Sequence, residues 1–373
     1  MRIAIISDER IASLGAGDWV QAYETHRAMR DLGVVVEHLL LACGSVSLRR
    51  AEEKETLSLS YLRQFDVLHV LPTIRIPRVL AQLVVHRSES ALLAGSPIFW
   101  DSLAHRLLCV YNQWERWPSV FGFMAHGLGA RNGVSVAYSA YDLLLLNSEA
   151  EAGCFRRCCS YALPRVRLAV VPNGLEPLPS YAHTCARPER VPIGDYVVYP
   201  GVFAPRKNQL GFIRAMKDDP RRVVFLGGPL PSKEGEQYYS RCRKAAPGHY
   251  VFLGAIPHYS EEFFGVLRHA RVACLASSCE TPGLALLEAA AVGTRVVAPV
   301  EGSAKEYFGA AAEYVEPLRR NSIRASVDRA WHRGRMAVSE IATIQLCPWI
   351  EIAKSTVGFY LEGLSAGRTA RIE

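Results

Sequence analysis

The sequence predicts an α/β protein built from two Rossmann-like domains that face each other across a cleft. Three observations lead to this prediction. The chain has 373 residues, about twice the length of a usual single domain. Hydrophobic residues make up 50% of it, and short apolar stretches alternate with helical patterns. Such alternation is typical of parallel sheets covered by helices.

The first series of these units occupies residues 1–175. Its apolar stretches predict strands over residues 2–7, 34–41, 66–71, 97–100, 143–146 and 168–171. The pattern over residues 19–32 predicts a helix, and Gly33 supplies its stop signal. We therefore expect residues 1–175 to form an N-terminal Rossmann-like domain.

The second series occupies residues 195–347. Strands are predicted over residues 196–199, 223–226, 250–253, 272–276 and 296–298. A helix is predicted to follow Tyr259, because Ser260 can cap it and Glu261 and Glu262 suit the positive end of its dipole. We expect this series to form a C-terminal Rossmann-like domain.

Two further segments complete the predicted organisation. Residues 176–194 contain four prolines and little periodicity, which indicates an interdomain linker. The segment over residues 348–373 opens with a predicted helix that runs to about residue 364.

Composition excludes several classes of protein. The net charge of +7 is mild and forms no basic stripe, so we expect no nucleic-acid partner. The ten cysteines have neither zinc spacing nor a disulfide framework, and no metal site is predicted. No apolar stretch reaches the roughly 18 residues of a membrane span. The chain starts on a strand rather than a secretory segment, so we expect a cytoplasmic protein with free thiols.

The most informative motif is a pair of carboxylates, Glu280 and Glu288, eight residues apart. Glu280 follows a predicted strand, and Glu288 lies about two turns into an apolar helix. The crevice at the carboxyl ends of parallel strands is where ligands of such sheets bind. The amides of Gly283 and Leu284 lie at the helix N-terminus, where a phosphate or a polarised hydroxyl is favoured. The pattern predicts a binding site at this loop.

A second motif is the pair of adjacent cations Arg206 and Lys207, which follow a strand and precede an apolar helix. Arginine offers a planar fork for phosphate oxygens and lysine a point charge. Because the dipole at a helix start disfavours cations, two of them there indicate an anionic partner.

The sequence resembles the retaining glycosyltransferases of family 4, which have the glycosyltransferase B (GT-B) fold. The resemblance rests on E-x7-E continued as E-A-A-A-V-G-T-R-V-V-A, and extends loosely over the whole chain. It implies that Glu280 contacts the donor sugar and Glu288 the nucleotide ribose. It also implies that Arg206 and Lys207 neutralise the donor diphosphate. Two positions depart from the family: Pro282 replaces the usual aromatic, and Pro200-Gly201 stands where many members have another arginine.

The resemblance adds further donor-binding candidates. Gly227 matches the family's glycine turn near the donor, and Ile256 lies in the loop that commonly holds the base. A tight turn explains such glycines about equally well. Gly15 and Gly17 match the glycine-rich loop of the N-terminal domain. The family's last helix, which typically returns to that domain, resembles residues 348–373.

The N-terminal half matches the family less well at one catalytic position. Members often carry a His-Asp pair after the fourth strand, and Trp100-Asp101 occupies that place here. We expect Asp101 to contact the acceptor or the sugar. Whether His105 or His126 takes over the missing histidine's role stays open.

The function implied is retaining transfer of a sugar from a nucleotide-sugar donor to a glycan, lipid-linked or small-molecule acceptor. The sequence contains no D-x-D motif, which agrees with catalysis without a metal or other cofactor. Residues 155–161 are basic and partly apolar, which is compatible with peripheral contact at the inner face of a membrane. Two alternatives stay open: an enzyme like the sugar-nucleotide 2-epimerases, or a non-catalytic protein of the same fold that binds a nucleotide sugar.

Overall fold

The computed structural model describes residues 1–9, 17–42, 47–53, 55–71, 77–100, 137–159, 164 and 166–369. The described residues fall into two compact units. The first contains residues 1–100, 137–176 and 347–369, and the second contains residues 177–346.

The first unit is built around a sheet with eight strands among the described residues, in the order β4-β3-β2-β1-β5-β6-β7-β8. Its elements in chain order are β1 (Arg2–Asp8), α1 (Gly17–Asp31), β2 (Val35–Ala42), β3 (Ser47–Arg50), β4 (Thr56–Leu57), a 3-10 helix (Leu59–Gln64), β5 (Val67–Val70), α2 (Pro77–His86), β6 (Leu92–Gly95), β7 (Leu143–Leu146), α3 (Glu149–Cys158), β8 (Arg167–Val170) and the C-terminal helix (Trp349–Thr369). At one edge, β3 pairs antiparallel with both β2 and β4, and the other pairs are parallel.

Apolar side chains cover both faces of this sheet. Ala4 and Ile6 of β1 point into one core and Ile3 and Ile5 into the other, because side chains alternate along a strand. The second core also receives Tyr360 of the C-terminal helix. Burial on both faces is why these strands read as nearly continuous apolar runs in the sequence.

The fourth predicted strand was misplaced. The strand is β6 at Leu92–Gly95, which pairs with β5 and β7, and residues 97–100 lie outside it. Two features prevent an extended strand at the predicted position. Pro97 has no backbone N–H to donate, and Ile98 has a φ of 48°, in the left-handed region.

The second unit is built around a sheet of six strands among the described residues, all parallel, in the order β11-β10-β9-β12-β13-β14. Its elements are a 3-10 helix (Ser180–His183), β9 (Tyr196–Pro200), a 3-10 turn (Pro205–Lys207), α4 (Gln209–Ala215), β10 (Arg222–Leu226), α5 (Lys233–Ala245), β11 (Tyr250–Gly254), α6 (Glu261–His269), β12 (Val272–Cys274), α7 (Leu284–Ala291), β13 (Arg295–Pro299), α8 (Ala304–Phe308), a 3-10 turn (Gly309–Ala311), β14 (Glu313–Val315), α9 (Arg320–Arg333) and α10 (Val338–Ile341). The C-terminal helix of the first unit is then α11.

The strand order of the second sheet reverses between β9 and β12. The chain winds outward in one direction from β9 to β11 and in the other from β12 to β14. Loops that leave the carboxyl ends of β9 and β12 therefore diverge and open a crevice, the usual ligand position in a doubly wound sheet. Arg206 and Lys207 lie in the loop after β9, and Glu280 lies in the loop after β12.

Candidate functional site

The loops after β9 and β12 bring Lys207 and Glu280 together. Lys207 Nζ lies 2.6 Å from Glu280 Oε1, and the two side chains are 12% and 5% exposed. Burial alone raises the pKa of the Glu280 carboxyl, but the charges of Lys207 and Arg206 outweigh burial and hold that pKa below its ordinary value. Glu280 is therefore an ionised carboxylate beside a buried ammonium group.

Hydrogen bonds from neighbouring elements fix the backbone of Lys207. The Tyr199 hydroxyl donates to the Lys207 carbonyl and accepts from the Ala276 amide at 3.0 Å. The next residue, Asn208, is fully buried with a φ of 57°. Its Nδ2 donates to the carbonyls of Ala276 at 3.0 Å and Pro317 at 2.9 Å. The lysine is thus held from β9, from the end of β12 and from the segment after β14.

Arg206 differs from Lys207 in being exposed. Its carbonyl accepts from the Ser278 amide at 2.9 Å, which joins the two loops of the crevice. Within the described ranges its guanidinium forms no salt bridge. Arg206 therefore presents an unpaired positive charge next to the Lys207–Glu280 pair, a suitable arrangement for an anionic ligand.

The backbone of Glu280 is held by the turn after β13. The Ser303 amide donates to the Glu280 carbonyl at 2.8 Å. Gly302 has a φ of 109°, and a Cβ there would lie 2.2 Å from the Glu280 carbonyl oxygen. Only glycine fits so close to another backbone in this conformation. The position of Glu280 therefore depends on a residue that bears no functional group.

The donor-binding candidates Gly283 and Leu284 lie where the sequence predicted, at the start of an apolar helix. Gly283 has a φ of 91° and caps α7, which begins at Leu284. The Gly283 backbone also lies against Glu280, because a Cβ on it would be 3.4 Å from Glu280 Oε2. The first amides of α7 and the Glu280 carboxylate therefore share one small region.

Glu288 lies in α7 and is buried, with 2% of its side chain exposed. Its Oε1 lies 2.6 Å from Nε2 of His258, in the loop between β11 and α6. The His258 side chain is 38% exposed, so it stands between the buried carboxylate and solvent. Sequence reasoning missed this histidine. The available signal was its position, four residues beyond the Gly254 that ends β11.

Gly227 lies at the carboxyl end of β10 and approaches another backbone closely. A Cβ at Gly227, whose φ is 146°, would lie 2.2 Å from the Gly201 carbonyl oxygen. Its amide donates to the Gly254 carbonyl at 2.8 Å. Packing of three adjacent strand ends thus accounts for this glycine, and a donor contact from it stays a prediction. Ile256 follows in the next loop, half-buried.

Of the candidate residues in the N-terminal half, the structure describes Gly17. Gly17 begins α1 and is exposed. Gly15, Asp101, His105 and His126 lie outside the described residues. Roles for these residues stay predictions.

Two features are absent from the described residues. No helix there combines the length and apolar character that a membrane span needs. No group of three or more His, Cys, Asp or Glu side chains is placed there to hold a metal ion.

Comparison with known proteins agrees with this architecture. Residues 191–335 match the family described as glycosyl transferases group 1. Sucrose-phosphate synthase from Thermosynechococcus elongatus is similar in structure, with a TM-score of 0.70 at 17% identity over 98% of this chain and 100% of that one. The Anabaena protein Alr3699/HepE, in complex with UDP and glucose, gives 0.62 at 14% identity over 96% and 99%.

A plant enzyme has the same fold. The catalytic domain of starch synthase IV from Arabidopsis thaliana, bound to ADP and acarbose, gives a TM-score of 0.61 at 10% identity over 98% of this chain and 99% of that one. No curated protein sequence matches the chain. The family match and the shared fold confirm the resemblance to glycosyltransferases with the GT-B fold. Residues 191–335 therefore form a glycosyl transferases group 1 domain, and the chain as a whole has the GT-B fold.

Proposed function

We propose that this glycosyltransferase transfers a sugar from a nucleotide-sugar donor, with retention of anomeric configuration and without a metal ion. The acceptor is a glycan, a lipid-linked molecule or a small molecule. The observation that carries the proposal is the contact between Lys207 and Glu280 at the crevice, with Arg206 exposed beside it.

The two cations suit the donor diphosphate. Arg206 offers a fork of N–H donors to phosphate oxygens, and Lys207 adds a charge that Glu280 already holds in place. Negative charge accumulates on the diphosphate as it leaves the sugar. Fixed positive charges at that point stabilise the transition state without reorganisation, a role that a metal ion has in other enzymes.

Glu280 suits the sugar side of the same bond. It is ionised, only 5% exposed and next to the lysine that would face the diphosphate. In this role its carboxylate accepts hydrogen bonds from donor-sugar hydroxyls and lies near the carbon on which positive charge develops. Retention of configuration rests on the family resemblance.

Glu288 suits the nucleotide. A ribose has two adjacent hydroxyl groups, and a carboxylate has four lone-pair positions that can accept from both. We place the donor in residues 195–347 and the acceptor on the N-terminal domain of residues 1–175. In that domain Gly15 and Gly17 are candidates for donor binding, and Asp101 is the candidate contact for the acceptor or the sugar. Residues 176–194 then serve as the linker.

The test is a donor panel. The purified protein is incubated with individual nucleotide sugars and candidate acceptors, and products are identified by mass spectrometry and NMR. We expect the transferred sugar to keep the anomeric configuration that it has in the donor. A chelator should not lower the rate of transfer. Release of a 2-epimerised sugar without acceptor indicates an epimerase, and binding without any turnover indicates a non-catalytic protein. Either result, or the opposite anomer, contradicts the proposal.

A further inference from the structure

We propose that His258 is a positioning residue, which holds Glu288 so that the site selects the ribose of a nucleoside diphosphate over 2′-deoxyribose. This inference rests on the proposed function, because it concerns how the same site recognises the donor's nucleotide.

The first support is the hydrogen bond itself. His258 Nε2 lies 2.6 Å from Glu288 Oε1, and the Glu288 side chain is 2% exposed. Burying a carboxylate without a hydrogen-bond partner costs much free energy of desolvation. The hydrogen bond from His258 offsets that cost and keeps the Glu288 carboxylate in one orientation. Oε2 makes no hydrogen bond within the described part of the chain. That oxygen, together with the second lone pair of Oε1, remains for a diol.

The second support is the way in which the imidazole ring is held. Its centroid lies 4.6 Å from the Tyr259 ring and 5.1 Å from the Phe263 ring, both in edge contacts. Edge-to-face contacts at such distances are favourable. The ring therefore has a fixed place, although its side chain is 38% exposed.

The third support is the backbone next to His258. Tyr259 has a φ of 60°, in the left-handed region that a bulky aromatic residue rarely adopts. Its carbonyl accepts a hydrogen bond from the Tyr181 hydroxyl. Such strained positions persist where the surrounding contacts determine them, and they concentrate at ligand sites. The loop is thus built to present His258 in one orientation.

Three possible roles of His258 predict different effects of its substitution on nucleotide binding. If His258 occupied the place of the ribose, its removal would strengthen nucleotide binding. If it only packed against Tyr259 and Phe263, a phenylalanine would replace it without effect and a glutamine would not. If it positions Glu288, loss of the nitrogen that donates the hydrogen bond should have a larger effect than loss of the ring contacts.

The experiment measures binding of UDP, ADP, GDP, CDP and their 2′-deoxy forms, together with TDP, by calorimetry to three proteins: wild type, His258→Phe and His258→Gln. Phenylalanine keeps the ring contacts, and glutamine keeps a donor near the position of Nε2. For whichever base binds, we expect wild type to favour the ribose form on the order of tenfold, the scale of one charge-assisted hydrogen bond. His258→Phe should lose about tenfold for the ribose form, with the ratio falling towards one. His258→Gln should retain most of the affinity for the ribose form and most of the preference for it over the 2′-deoxy form.

Kinetics add a second readout. With the donor identified, His258→Phe should raise the donor KM and leave kcat close to wild type, because the contact is made before and during the reaction. His249→Phe, a change at an exposed histidine of the same unit, is the matched control and should match wild type. Wild-type behaviour of His258→Phe, or tighter binding by it, overturns the inference.

Failure of the proposed function would look different. In that case wild type binds no nucleoside diphosphate of the panel, which overturns the proposed function and this inference together. If wild type binds a nucleoside diphosphate and Lys207→Ala weakens that binding, the diphosphate site stands. An unchanged ribose preference in His258→Phe then refutes the role of His258 alone.

Discussion

Lys207 and Glu280 are 73 residues apart in the sequence, yet their charged atoms lie 2.6 Å apart at the carboxyl ends of β9 and β12. Both side chains are largely buried, so each charge depends on the other for compensation. The pair is therefore expected to contribute to folding as well as to ligand binding.

The first prediction concerns stability. Lys207→Met and Glu280→Gln should each lower the free energy of unfolding by about 2–4 kcal/mol, because each leaves the other charged group buried without its ion-pair partner. The double variant should lose less than the sum of the two. Urea denaturation of all four proteins gives the coupling energy. Strict additivity would show that the two groups do not stabilise each other.

The second prediction separates the two glutamates. Glu288→Gln should weaken binding of the plain nucleoside diphosphate, since it alters the carboxylate proposed for the ribose. Glu280→Gln should lower turnover more than nucleotide affinity, because its contact is proposed to strengthen in the transition state. Calorimetry paired with initial rates measures both. If Glu280→Gln loses nucleotide binding while Glu288→Gln binds normally, the assignment is reversed.

The third prediction concerns the exposed cation. Arg206→Ala should weaken nucleoside diphosphate binding by roughly 1.5–3 kcal/mol, the scale of a charge-assisted contact. Its effect on the melting temperature should be small, because the side chain is exposed. Lys217→Ala removes another exposed cation of the same unit and is the control. Equal affinities of the two variants would remove Arg206 from the diphosphate site.

The fourth prediction concerns Gly227. Gly227→Ala places a methyl group 2.2 Å from the Gly201 carbonyl oxygen at a φ of 146°, so the strand ends must move apart. We expect a loss of about 2–4 kcal/mol in unfolding free energy, combining overpacking with backbone strain. Gly248→Ala meets no atom within 4 Å and should be nearly neutral. Similar melting curves for the two variants would contradict the close approach.

The fifth prediction concerns acid. Burial lowers the pKa of both His69 and His38 to about 3. An unfolded histidine takes up its proton near pH 6.5, so between about pH 6.5 and 3 the unfolded chain binds more protons. Stability should therefore fall as pH falls through this window, by up to about 1.4 kcal/mol per pH unit for each histidine. Chemical denaturation at several pH values checks this.

A glutamine variant isolates one of these histidines. His69→Gln removes the titrating ring that lies between Tyr360 and Ser96 but keeps polar atoms for them. The variant should lose less stability than wild type over the same pH range. A slope identical to that of wild type would show that His69 takes up no proton on unfolding.

Much of the fold is readable in the sequence because parallel strands are buried on both faces. Strands β9 to β13 appear as apolar runs, and Ser260 caps α6 as predicted, accepting from the Phe263 amide. The three-residue strand β14 escaped prediction, because Glu313-Tyr314-Val315 forms no apolar run. Residues 97–100 misled the prediction because an apolar stretch alone does not reveal the left-handed backbone of Ile98.

The site is less readable than the fold. Motif spacing places Glu280 before a helix and Glu288 within it, but cannot say which cation reaches Glu280. That contact depends on β9 and β12 being neighbours in the sheet. The partner of Glu288 was missed for a similar reason. His258 reaches Glu288 from another loop, and its position four residues beyond Gly254 does not reveal that its partner lies 30 positions away.

The close approach of Gly302 to the Glu280 carbonyl determines which substitutions position 302 can accept. In a saturation library scored for activity, position 302 should tolerate almost no replacement, although glycine offers a substrate nothing to bind. Scored by tolerance alone, it would rank beside Lys207 and Glu280. Backbone geometry, rather than chemistry at the ligand, would be the origin of that intolerance.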